Sequence, residues 1–82
     1  MLEVERKPNF IKKIGKIKDN SLKEQIKKRI KQIIKNLDIG KPMSYGRKGT
    51  REVYVGSFRL SYMYFSNETK IVFLDFYHKD EQ

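Results

Sequence analysis

The chain opens on an alternation in which Leu2 and Val4 are apolar while Glu3 and Glu5 are charged. That is the period of a strand with one face on a core. Pro8 follows, suited to the first turn of a helix, where its missing N–H has no partner to lose. Phe10, Ile14 and Ile17 then recur at helical spacing, with Ile11 beside them and Lys12, Lys13 and Lys16 between them. This predicts a short amphipathic helix. Asp19-Asn20-Ser21 interrupts the pattern, and Ser21 with Glu24 three residues on has the form of a capping box opening a second helix. From there Leu22, Ile26, Ile30, Ile33, Ile34 and Leu37 draw one apolar stripe, with Lys23, Lys27, Lys28, Lys31 and Lys35 on the other faces. Gly40 and Pro42 are stop signals beyond it.

Residues 38–50 hold three glycines, Pro42, Tyr45, Lys41, Arg47 and Lys48, the composition of a basic loop. Glu52 to Val55, Phe58 to Phe65 and Lys70 to Tyr77 are rich in β-branched and aromatic residues, and Gly56-Ser57 and Ser66-Asn67-Glu68 separate them as hairpin turns. In the middle strand Phe58, Leu60, Tyr62 and Tyr64 alternate with Arg59, Ser61 and Met63. One face therefore suits a helical layer and the other is more polar. The expected architecture is α+β, ordered β-α-α-β-β-β, within one domain over residues 1–82. A basic helical hairpin packs on one face of a small, mainly antiparallel sheet, and the opposite face is partly open.

Composition narrows the chemistry. Eighty-two residues leave no room for a large enclosed cofactor cleft, so a site is expected on a surface. Cysteine is absent, which removes disulfides, thiolate nucleophiles and cysteine zinc sites, and a single histidine argues against a dedicated transition-metal site. No cofactor is expected. Nineteen Lys and Arg against ten Asp and Glu give +9, an excess that favours a polyanionic partner, nucleic acid ahead of a membrane surface. Residues 1–49 carry 15 bases and 5 acids, and residues 50–82 carry 4 bases, 5 acids and eight of the ten aromatics. Apolar runs are too short to span a bilayer, and the acidic start Met1-Leu2-Glu3-Val4-Glu5 is unlike a secretory signal. A cytoplasmic location is expected.

The lysines of the helices suit either an RNA-docking surface or plain solubility. Gly46-Arg47-Lys48-Gly49-Thr50-Arg51 places three cations in a glycine-flexed segment where charge and backbone N–H groups can grip phosphates together, although neither common nucleotide-binding glycine motif occurs. Arg59 lies in a strand, so it must emerge on the open face or be paired, with Asp75 the nearest strand carboxylate. On the open face it offers a fixed guanidinium to a phosphate gaining charge. His78 ends the last strand, where an imidazole suits general acid or base work or is simply a surface residue. Tyr54 and Tyr77 are either base-stacking rings or core and edge aromatics.

Gly46, then Arg51-x-Val53-x-Val55-Gly56-x-Phe58-Arg59-Leu60-x-Tyr62, then Phe76-Tyr77-His78-Lys79 resemble the RelE/ParE toxin superfamily, and its RelE side with the archaeal members in particular. The resemblance implies a toxin of a type II toxin–antitoxin pair that enters the ribosomal A site and cuts mRNA without metal. A ribose 2′-OH attacks the adjacent phosphate and leaves a 2′,3′-cyclic phosphate. By position Arg59 matches the arginine that contacts the scissile phosphate, and His78 resembles the C-terminal histidine used as general acid or base in YoeB-like relatives. Arg47, Lys48 and Arg51 lie where family members hold RNA, with Tyr54, Tyr77 and Lys79 beside them. Two strand positions that carry lysines in bacterial RelE hold Glu52 and Tyr54 here. The implied partners are an acidic RelB-like antitoxin, the ribosome and mRNA, with no membrane. A ParE-like inhibitor of DNA gyrase and a non-catalytic nucleic-acid-binding module are the alternatives.

Overall fold

The computed structural model describes residues 2–42 and 49–81. Its elements run β1 (Glu3–Arg6), α1 (Pro8–Gly15), α2 (Asn20–Lys35), β2 (Lys41–Pro42), β3 (Thr50–Val55), β4 (Phe58–Phe65) and β5 (Lys70–His78), with 3-10 turns at Ser66–Glu68 and Lys79–Glu81. The strands form one sheet in the order β1-β5-β4-β3-β2, antiparallel throughout except for β1, which runs parallel to β5. Strands β1 and β2 occupy opposite edges, so the chain between them must cross the sheet. It does so as the two helices, which is why one face is covered. The α+β expectation holds, with the short edge strand β2 added inside the expected loop.

Local chemistry sets the helix limits. Helix α1 starts on Pro8 at its first turn, as expected, but ends at Gly15, so Ile17 packs against the core from outside it. The cap of α2 is Asp19, not Ser21: the Asp19 carboxylate accepts from the N–H groups of Ser21 at 2.9 Å and Leu22 at 3.3 Å. Aspartate satisfies these orphan donors as well as serine does, and it comes earlier in the chain. At the other end Asn36 leaves helical geometry and its side chain accepts from Asp38 N–H at 3.2 Å, which ends α2 before Gly40. Gly56, at φ +59°, opens the two-residue turn between β3 and β4, a conformation glycine adopts without steric cost.

The core lies between helices and sheet. Phe10, Ile26 and Ile33 from the helices meet Val53, Val55, Leu60, Tyr62, Ile71, Phe73 and Phe76 from the strands. Phe10 stacks on Phe73 with centroids 5.3 Å apart. Beyond Phe73 strand β1 has ended and α1 takes over beside β5: Lys7 N–H donates to the Phe73 carbonyl at 2.9 Å and Lys13 pairs with Asp75 at 3.3 Å. A register irregularity falls there, since Ser61 faces Asp75 while Tyr62 faces Phe73, leaving Leu74 over.

Tyr62 ties the layers together. It is fully buried, and its hydroxyl donates to the Leu37 carbonyl at 2.9 Å while accepting from Gly40 N–H at 2.9 Å. A methyl group at Gly40 would lie 2.6 Å from that oxygen, so close approach of the backbone requires glycine there. Arg51, opposite Tyr62 in β3, closes the same loop from outside, donating to the carbonyls of Gly40 at 2.7 Å and Asp38 at 3.2 Å and pairing with the Asp38 carboxylate at 3.4 Å. Burial holds the Tyr62 hydroxyl above the usual phenol range, opposed by the Gly40 hydrogen bond and the Arg51 charge and reinforced by Asp38.

Replacing Tyr62 by Phe strands two backbone groups and should cost about 1–3 kcal/mol in urea denaturation. Gly40→Ala should lower stability too, because a buried ring must move. A phenol pKa raised in the fold contributes stability that is complete below its unfolded value near about 10 and is lost as pH rises through the folded one. The stability gap between the parent and Tyr62→Phe should therefore narrow above about pH 10. An unchanged gap would mean that the hydroxyl titrates as it does in the unfolded chain.

Candidate functional site

The face away from the helices includes three successive cross-strand rows. Thr50, Met63 and Val72 form one, Glu52, Ser61 and Asp75 the next, and Tyr54, Arg59 and Tyr77 the third. Alternation puts Arg59 here because its neighbours Phe58 and Leu60 pack with the core. The Arg59 guanidinium carbon lies 3.8 Å from the centroid of the Tyr54 ring, and its Nη1 donates to the carbonyls of Phe58 at 3.0 Å and Gly56 at 3.5 Å. Stacking of this kind contributes roughly 0.5–1 kcal/mol at exposed sites. Its more useful effect is to fix a planar cation whose Nε and Nη2 make no hydrogen bond among the described residues.

Of the two readings of Arg59, the pair with Asp75 does not form. Asp75 lies in the next row and takes Lys13 instead, while also accepting from Phe76 N–H at 2.8 Å. Tyr77 is opposite Arg59, but it is only 8% exposed and its hydroxyl donates to the Glu52 carboxylate. It is therefore the floor of the site and not a free stacking ring. Glu52 is itself buried, at 9% exposure. With Ser61 and Val72 also buried, this face is more closed than its polar pattern suggested. Tyr54, 46% exposed, is the accessible aromatic beside Arg59.

His78 pairs with Phe58, not Arg59, so alternation sets the imidazole on the helix-side face at the rim of the sheet, its ring edge-on to Phe58 at 5.2 Å. The structure brings Arg59 and His78 to the same end of the sheet but not to the same face. Asp80 touches the His78 Nδ1 twice, through its backbone N–H at 3.2 Å and its carboxylate at 3.5 Å. The first contact makes Nδ1 an acceptor, which puts the ring proton on Nε2, whereas the second suits an Nδ1–H held by the carboxylate. Lys79 follows in an exposed turn whose backbone is bonded to the Ser57 carbonyl at 2.9 Å. Arg51 shares the helix-covered face with Tyr62, and its guanidinium is spent on the Asp38–Gly40 loop. Gly46, Arg47 and Lys48 lie outside the described residues.

A family model described as the ParE toxin of the type II toxin–antitoxin system, parDE, matches residues 4–82. The chain belongs to this toxin family. Its fold agrees: a YoeB/ParE toxin from Agrobacterium tumefaciens superposes with a TM-score of 0.84 at 11% identity, covering 94% of this chain and 98% of that one. A chain of the intact E. coli RelBE toxin–antitoxin complex gives 0.79 at 15% identity, covering 95% and 96%. One from the RelBE2 toxin–antitoxin complex of Mycobacterium tuberculosis gives 0.76 at 22%, covering 94% and 96%. A search of curated protein sequences gives no significant match. The chain is thus a toxin–antitoxin toxin of the RelE/ParE superfamily.

Two features of the toxin's site were missed in the sequence. Glu52 and Tyr77 are 25 residues apart and their bond depends on strand order, for which no local signal exists. Arg29 was legible in part, as the one arginine among the lysines of α2. Its Nε donates to the Tyr54 carbonyl at 2.8 Å and its Nη1 to Gln32 at 2.9 Å, closing the edge of β3 past the end of β2.

The two strand arginines should separate in thermal melts. Arg51→Ala should lower the melting temperature clearly, because it releases two carbonyls and a carboxylate of one loop. Arg59→Ala should shift stability by no more than about 1 kcal/mol.

Proposed function

We propose that this toxin is a ribosome-dependent endoribonuclease that cuts mRNA in the A site and is silenced by an acidic RelB-like antitoxin. The observation that carries the proposal is Arg59, a guanidinium immobilised against Tyr54 with donors left for a phosphate. In the reaction the 2′-oxygen of one ribose bonds to the adjacent phosphorus, the bond from phosphorus to the 5′-oxygen breaks, and a 2′,3′-cyclic phosphate remains. Charge grows on the non-bridging oxygens as the fifth bond forms, and a fixed cation there stabilises that state more than the ground state. One proton must leave the 2′-hydroxyl and one must reach the departing 5′-oxygen. With its Nδ1–H held by the Asp80 carboxylate, His78 moves one of them through Nε2 from the rim of the sheet. Tyr54 presents its ring to a nucleobase while Arg59 steadies the backbone. Lys79, with Arg47 and Lys48, adds phosphate-holding charge, and the protein works in the cytoplasm, where ribosomes are.

A second reading has a specific finding behind it, because the matching family model carries the ParE description. In that case the toxin binds DNA gyrase and cuts no RNA. Primer extension on mRNA translated by ribosomes, run beside a gyrase supercoiling assay, separates the two. Cleavage with unimpaired supercoiling supports the nuclease, and blocked supercoiling without cuts overturns it.

Arg59→Ala should abolish detectable cleavage on ribosomes while the protein still melts cooperatively. His78→Ala or His78→Gln should slow cleavage by roughly 10²–10⁴ and leave ribosome binding near parental strength. Parental cleavage by the His78 variants would remove that residue from the reaction.

A further inference from the structure

Tyr54 is held by an arginine on each side. The Arg59 guanidinium stacks on its ring, and from α2 the Arg29 Nε donates to its carbonyl at 2.8 Å. Past Tyr54, where β3 turns towards β4, a shallow recess of about 250 Å³ lies between this rim of the sheet and α2. Residues 54–56 form one wall, and Gln25, Lys28, Arg29 and Gln32 of α2 form the other. Spacings of three and four put these four side chains on one face of the helix. Lysine is the commonest polar residue of α2, yet this face carries two glutamines on either side of an arginine. The Gly56 carbonyl accepts from Arg59 at 3.5 Å and Gly56 also lines the recess, so the recess begins at the turn that holds Arg59. The amide oxygen of Gln25 lies 3.8 Å from where a side chain at Gly56 would begin.

The chemistry of this recess suits a nucleobase. Arg29 spends Nε on Tyr54 and Nη1 on the Gln32 amide oxygen, the latter at 2.9 Å. Two bonds fix the plane of its guanidinium, and such a plane is a surface on which a base can stack. The same bond takes the oxygen of Gln32 and turns its amide nitrogen, with two N–H donors, away from the arginine. Glutamine amides read base edges, whereas lysine holds phosphates without regard to sequence. A volume of about 250 Å³ is smaller than the roughly 300–1,000 Å³ of drug-sized sites and leaves room for one planar base. The recess on the opposite side of Arg29 has Glu52 and Ile39 in its wall, and a carboxylate there repels an RNA backbone. Resting on the proposed mRNA cleavage, we propose that the recess beside Gly56 takes the base of a nucleotide adjoining the scissile phosphate. The base stacks on Arg29, Gln32 donates to acceptors on its edge, Gln25 offers its amide to the rest of that edge, and Lys28 meets the phosphate. Arg59 then sets where the strand is cut, and this face of α2 sets which sequence is cut.

The test is cleavage by the full chain on ribosomes programmed with mRNAs that differ by one base on either side of the cut. At one of these positions the parent should favour guanine and uracil, whose exocyclic oxygens accept, over adenine and cytosine, whose amino groups donate, by at least about ten-fold. Gln32→Glu keeps an oxygen for Arg29 but replaces the outward donors with an acceptor. That preference should then collapse or reverse at an unchanged melting temperature. Gln25→Ala should reduce the ratio, and Lys28→Ala should slow cleavage of every sequence alike, because a phosphate contact carries no sequence information. The parental ratio in both glutamine variants would overturn the recess while leaving the nuclease established, as would equal cutting of all four bases by the parent. Weaker ribosome binding by the glutamine variants at a preserved ratio would assign the recess to ribosomal RNA and overturn it for the messenger. If the parent cuts no mRNA on ribosomes, the nuclease and the recess fall together.

Discussion

Strand β4 is central in the sheet, and its side chains must choose faces two by two. Leu60 and Tyr62 are fully buried under the helices, and the Tyr62 hydroxyl has only one place where both its bonds can be made, between Leu37 and Gly40. A slip of one residue would bring Arg59 and Ser61 under the helices and put Tyr62 outside. That register is therefore strongly specified, and Arg59 is displayed on the far face as its consequence. The arginine owes its position to a phenol three residues away that never touches it.

The same constraint organises the edges. The Tyr62 clamp ends the helical crossing at Gly40, from which β2 begins beside β3. Arg51, turned inward with Tyr62, secures the loop, and Arg29 covers the edge of β3 where β2 has run out. Two of the arginines are thus absorbed in holding the sheet's margin, while Arg59 keeps donors to spare. Sorting by partner, not by charge, separates the cations bonded into the fold's margin from the one with donors to spare among the described residues. The excess of lysine lies mainly on the helices, where it faces solvent, and so the toxin has two distinct surfaces: a cationic helical layer and a strand face centred on Tyr54 and Arg59.

Much of this was written in the sequence, because burial periodicity is local. The strand limits of β4 and β5 follow from runs of aromatic and β-branched residues, and the α2 stripe follows from isoleucines at helical spacing. Arg59 was legible as an arginine on the polar face for the same reason. What stayed hidden depends on register between distant segments. Whether His78 shares a face with Arg59 turns on one residue of pairing, and the irregularity at Leu74 is invisible in the alternation of β5 alone. Likewise Arg51 resembles any loop-edge cation until β3 is aligned with Tyr62, and Tyr77 resembles a free ring until Glu52 is brought across β4 to meet it. The cap of α2 was missed differently, since Asp19 and Ser21 are both competent and only the backbone decides between them.

The central claim is that a fixed guanidinium on an otherwise closed strand face promotes attack by a neighbouring 2′-hydroxyl. It is tested most directly by the chemistry of the cut ends. Messenger RNA incubated with programmed ribosomes and the toxin should yield upstream fragments whose 3′ ends carry a 2′,3′-cyclic phosphate, identified by mass spectrometry, with a 5′-hydroxyl on the downstream piece. Fragments ending in a 3′-hydroxyl with a 5′-phosphate downstream would contradict the claim, since water and not the ribose would then have attacked the phosphorus.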